Sequence, residues 1–192
     1  MLGTVMEALR HIKAELATLL DAPAIRALCH EVGYQWRVRL LDPVTTIHLF
    51  LLQLLHGNTP CSHLPPLVGQ HFTASAFCQA RTRLPLGLWQ QLLRRTAVVC
   101  EQTTHDEGRW RGHRTFLVDG SSFSMPDTPE LQEYFSQPHG QRPGCGFPVA
   151  HLLALFHAGT GFLLEVLAAP GTPTTWPRWR RSMRRCAREM CS

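Results

Sequence analysis

The hydrophobic period of this chain changes once, across the polar segment His105–His113 (HDEGRWRGH), and that change limits the folds open to it. Upstream, apolar residues recur at helical spacing. Downstream they come as short runs bounded by Gly, Pro and Ser, which is strand patterning. The sequence therefore predicts an α+β chain: a helical domain at residues 1–104, a linker at 105–113 and a strand-bearing segment at 114–170.

Val5, Leu9, Ile12, Leu16 and Leu19 or Leu20 fall on one face of a helix over residues 4–20, with Thr4 as its cap. Asp21 and Pro23 open a second helix over Ala22–Val32, which Gly33 closes. A third runs from Pro43 to about His56, with Gly57 beyond its end. Pro60, Pro65 and Pro66 make Cys61–Gln70 a short helix or turn-rich link. The segments Thr73–Leu84 and Pro85 to about Gln102 admit two readings. In one they are a helix-turn-helix unit with Ser75, Gln79, Arg81 and Arg83 facing a DNA groove. In the other they are packed helices with solvated arginines.

Past the linker, Thr115–Val118 reads as a strand that delivers Asp119 onto a Gly-Ser-Ser turn. One helical turn is expected at Glu130–Phe135 and a loop at Ser136–Gly146. Phe147–His157 and Gly161–Ala168 form a hairpin joined by Ala-Gly-Thr-Gly. A carboxylate at the end of a buried strand is a frequent first metal ligand in phosphoryl-transfer sites, although Asp-Gly is also a common turn pair. Asp127 and Glu130 read as helix-start residues and Glu165 as an exposed strand residue. The loop Gly140–Gly146 lacks the Lys-Ser/Thr ending of a P-loop and precedes a strand, which weakens a nucleotide-site reading and favours a plain surface loop. Arg142 and the loop backbone remain candidates for DNA phosphate contacts. No Gly-x-Ser-x-Gly elbow supports a hydrolase triad, and Cys61, His63, His71 and Cys78 do not follow a structural zinc spacing.

Charge sharpens the domain picture. The formal charge is +5, yet residues 1–177 hold 13 basic and 13 acidic residues. The entire excess lies in residues 178–192, with six Arg and one Glu. Seven scattered cysteines and no secretory segment point to free thiols in a reducing cytoplasm. The most apolar run, Ile47–Leu55, is too short to span a bilayer, so no membrane partner is expected.

Asp119-Gly-Ser-Ser, the downstream Pro126-Asp-Thr-Pro-Glu130 and the loop Gly140-Gln-Arg-Pro-Gly-Cys-Gly-Phe-Pro148 together resemble the start of the catalytic domain of IS4-family DDE transposases. The resemblance covers roughly residues 20–170 and is most specific over 114–170. An Ala80-Arg81-x-x-Leu84 step in the helical segment resembles the region that precedes that domain. The resemblance implies an RNase H-like sheet in which Asp119, on a central first strand, is the first catalytic acid and a Mg²⁺ ligand. It also implies DNA contacts by the helical segment that carries Arg81 and Arg83, transposon-end DNA as partner, and no small-molecule substrate. A homodimer is compatible with it.

The later Asp and Glu of such a site do not appear in a matching context before Ser192. The expectation is a truncated transposase, inactive alone, with 114–170 a partial catalytic domain and 171–192 a basic tail read off-frame. If Thr172–Ser192 is encoded by one GC-rich choice of codons, the same bases read from the third position of the first codon spell PHDMAPVAAVHAALRAGDVL, which looks like the segment leading to the second acid. The rival expectations are a stand-alone DNA-binding module that inhibits transposition and a pseudogene product without selected function.

Overall fold

The computed structural model describes residues 17–103, 109–135, 137, 142, 146–170 and 181. Contacts divide the chain into two compact units, Met1–Val99 and Cys100–Ser192. Most of the helix expected at 4–20 lies outside the described residues, of which 17–19 are helical; of the basic tail only Arg181 is described.

The first unit is built by helices whose ends are set locally. Helix α1, Ala22–Glu31, starts where the Asp21 carboxylate accepts the Ala24 N–H at 2.8 Å. Pro23 sits in its first turn, where a missing N–H costs nothing. It ends at Gly33, whose φ of +69° turns the chain while the Tyr34 N–H reaches the Cys29 carbonyl at 2.8 Å. Helix α2, Pro43–Leu55, repeats the device: Asp42 caps it through the Thr45 N–H at 2.8 Å. The Pro-rich link resolves into a 3₁₀ turn, Cys61–His63, and a short helix α3, Leu64–Val68, stopped by left-handed Gly69. Helix α4, Ala74–Arg83, is capped by the Thr73 hydroxyl, and α5, Leu86–Thr103, follows after Pro85.

Two apolar clusters hold this unit. Ile25, Leu28 and Cys29 of α1 pack with Val44 and Ile47 of α2 and with Leu84, Leu88 and Leu92. The other face of α2 places Leu49 against Leu64 and the fully buried Phe77 of α4. Burying a side chain of that size contributes roughly 1.5–3 kcal/mol.

In the second unit, part of the expected linker is structured. Arg109–Trp110 (β1) and His113–Arg114 (β2) pair antiparallel around a turn in which Arg111 and Gly112 have φ of +50° and +81°. Residues 104–108 lie outside the described set. Strand β3, Phe116–Ser124, is followed by helix α6, Pro129–Phe135, and by strands β4, Val149–His157, and β5, Leu163–Pro170. The three long strands form one antiparallel sheet in the order β3-β4-β5.

Two sequence expectations need correcting. The first strand does not stop at Val118: it continues for nine residues, so Asp119 lies inside it and Gly-Ser-Ser is strand rather than turn. The reason is register. Gly120, Ser121 and Ser122 face Leu153, Leu152 and His151 on β4, and nine ladder positions outweigh the turn preference of one Asp-Gly pair. Among the described residues the acid-bearing strand is also at the sheet edge, and β4 is central.

Candidate nucleic-acid interface and acid-bearing strand

The even charge balance of residues 1–177 conceals a local excess. Residues 17–99 contain seven arginines and three acidic residues. Two of those acids are already engaged: Glu31 accepts two hydrogen bonds from Arg95, at 2.6 and 2.8 Å, and Asp42 lies 3.9 Å from Arg26 while capping α2. The third, Asp21, caps α1.

Three of the remaining arginines converge. Arg37, Arg39 and Arg83 line a cleft of about 350 Å³ together with Tyr34, Trp36 and Thr46. Its walls are firm because Tyr34 and Trp36 pack against the α1–α2–α5 core. The two rings are stacked, with centroids 6.1 Å apart, and His30 tilts onto Trp36 at 5.0 Å. Partial burial holds the Tyr34 phenol above its ordinary pKa; the nearby Cys29 adds to this and the Arg83 charge opposes it. The raised pKa keeps the side chain neutral, in a cleft that three arginines also line. Such a set suits an anion with several oxygens and a flat apolar neighbour. Tyr34, Trp36, Arg37 and Arg39 were not singled out from sequence; the signal available was the Tyr-Gln-Trp-Arg-Val-Arg run between two helices.

The arginines at 81 and 83 have separate fates. Arg83 is exposed at the cleft, with Nη2 donating to Gln79 Oε1 at 3.2 Å. Ser75 and Gln79 are exposed as well. Arg81 is turned inward: its guanidinium carbon lies 5.3 Å from the Phe50 ring centre and 5.8 Å from that of Phe77, and Nη1 donates to Gln53 Oε1 at 3.3 Å. In this arrangement Arg81 joins α4 to α2 rather than facing a groove.

Asp119 is exposed on β3, and its Oδ1 accepts the Gly120 N–H at 2.9 Å. It pairs with Ala154, which pairs with Val166, so these three share one face of the sheet. Glu165 pairs with Leu155, and Leu155 with Val118, on the opposite face, so Glu165 is half-buried on the other side of the sheet from Asp119. Among the described residues no group of three or more His, Cys, Asp or Glu could hold a metal ion. Arg142 is exposed, and most of the loop around it lies outside the described residues. Asp127 accepts from Gln132 at 2.7 Å, as expected beside a helix start. No helix among the described residues is long and apolar enough to cross a membrane.

No protein-family model matches the chain, and no solved structure matches it. Among curated proteins the chain is 34% identical over 97 residues to "Putative transposase InsZ" of Escherichia coli strain K12. The match covers 50% of this chain and 32% of that protein. The chain is thus similar over half its length to a protein described as a transposase, and spans about a third of that relative.

Proposed function

We propose that this chain serves DNA transposition of the IS4 type, binding element-end DNA through its helical unit in the cytoplasm. The observation that carries the reading is the convergence of Arg37, Arg39 and Arg83 on one aromatic-walled cleft, while the described acids of the helical unit, Asp21, Glu31 and Asp42, are engaged elsewhere. Clustered guanidinium groups without competing carboxylates favour phosphate contacts, which position the protein on the duplex rather than read its sequence. The similarity to a described transposase supports the same reading. Asp119 serves as one Mg²⁺ ligand of an RNase H-like site, and Arg142 contacts DNA phosphates from its loop. Because the strands β3, β4 and β5 place no further carboxylate on the Asp119 face of the sheet, cleavage is not assigned to the described residues.

A second reading is favoured by that same isolation of Asp119: the chain binds transposon ends without cutting them and so competes with an active enzyme. Both readings require DNA binding. The experiment is fluorescence anisotropy of the full chain on terminal inverted-repeat and scrambled duplexes across a salt series. A linear fall of log affinity with log salt is expected, with a preference for the repeat. Absence of binding near about 50 mM salt sinks both. Mg²⁺-dependent nicking that Asp119→Ala abolishes would decide for the enzyme over the competitor.

A further inference from the structure

Cys61, on the 3₁₀ turn, and Cys78, on α4, bring their sulfurs within 3.7 Å of each other, with Cys78 donating to Cys61. Both side chains are half-buried and within reach of solvent, whereas Cys29 and Cys100 are fully buried. The Cys61 sulfur has a second donor, Gln53 Nε2 at 3.5 Å. Gln53 is itself held: the same nitrogen donates to the Thr59 carbonyl at 2.9 Å, and its oxygen accepts from Arg81. The pair is thus part of a built polar network, Arg81–Gln53–Cys61–Cys78, at the seam where α4 meets the 3₁₀ turn.

We infer that Cys61 and Cys78 are a dithiol modification site which a hydroperoxide closes to a disulfide, stapling the Cys61–His63 turn to α4. Two donors aimed at one sulfur make Cys61 the attacking atom. Cys78 keeps its proton: the hydrogen bond to Cys61 raises its pKa, with desolvation and the Cys61 charge adding and Arg81 opposing. The Cys61 thiolate attacks the O–O bond and becomes a sulfenic acid as hydroxide leaves, taking up the thiol proton as water. The Cys78 sulfur then displaces hydroxide from Cys61, and its own proton departs with that hydroxide as a second water. One hydrogen peroxide is reduced to two waters and two thiols are oxidised to one disulfide. A disulfide needs a sulfur separation of about 2.05 Å, so the two sulfurs, now 3.7 Å apart, must close by about 1.6 Å.

The test uses the full chain, reduced, then treated with hydrogen peroxide, blocked with N-ethylmaleimide, digested and analysed by mass spectrometry. The expected product is a Cys61–Cys78 cross-linked peptide pair, about 2 Da lighter than the two reduced peptides together and split by dithiothreitol. Cys61→Ser removes it, and Cys78→Ser leaves a Cys61 sulfenic acid that dimedone traps. Oxidation also raises the melting midpoint of the wild type but not of Cys61→Ser. The proposal is overturned if peroxide leaves both thiols as alkylatable as before. Pairing of either with Cys29, Cys100, Cys145, Cys186 or Cys191 instead also overturns it.

Discussion

Arg81 places its guanidinium carbon 5.3 Å from the centre of the Phe50 ring, so that a cation on α4 is held over an aromatic ring on α2. The interaction is reinforced by Phe77 at 5.8 Å and by the hydrogen bond to Gln53, which is almost fully buried. A residue with this environment carries stability, while its neighbour two positions on, Arg83, faces the cleft.

Arg81→Ala should therefore lower the unfolding free energy of the helical unit by about 1–3 kcal/mol, through removal of the cation–π interaction, the hydrogen bond and the packing of the side-chain stem. Arg83→Ala should stay within about 0.5 kcal/mol of wild type. Urea melts of the two variants, followed by helical circular dichroism, check this. Equal destabilisation would mean that Arg81 has no special structural role.

DNA binding should respond in the opposite order. Replacing Arg37, Arg39 or Arg83 by Ala should weaken binding similarly across sequences and reduce the slope of log affinity against log salt by about 1 for each phosphate left without its guanidinium partner. Anisotropy titrations at several salt concentrations measure that slope. An unchanged slope in the triple variant would remove the cleft from the interface.

Gly120 separates the strand from the turn. A Cβ built at Gly120 meets Leu153 Cδ1 at 3.8 Å and the Leu152 carbonyl at 3.9 Å, ordinary van der Waals distances, and its φ lies outside the left-handed region. Gly120→Ala should thus be neutral or stabilising by up to about 1 kcal/mol, since it restricts the unfolded chain. A turn glycine at positive φ would be destabilised by the same change. Thermal melts read the sign.

Alkaline pH should loosen the helical unit. Burial raises the Cys29 thiol above its ordinary pKa of 9.0, and the Asp42 charge adds to this. Between 9.0 and the higher folded value the unfolded chain releases a proton that the folded chain retains, so stability falls as pH rises through that window. Tyr34, also raised from its ordinary 10.0, extends the loss upward. Stability curves from about pH 8 upward should flatten in Cys29→Ala; an unaltered pH dependence would assign the loss to other groups.

The helix starts were legible because their causes are local. A capping oxygen at Asp21, Asp42 or Thr73 reaches an N–H three residues on, and a proline in the first turn needs no partner. The β4–β5 hairpin was legible for the same reason: the two apolar runs are adjacent, and Gly161, at φ +68°, sits in the turn between them. Local chemistry could not place Asp119 within a strand, because the nine-position ladder that extends β3 is made with residues beyond α6. Nor could helical spacing tell Arg81 from Arg83. That choice depends on Phe50 and Gln53, which the fold brings from α2, and on Trp36 and Arg39, which it brings from the segment before α2. The sequence by itself determined where the helices start and where the β4–β5 hairpin turns, since those preferences act over a few residues. The tertiary structure decided which charges meet a ring, a carboxylate or an open cleft, since that depends on partners distant along the chain.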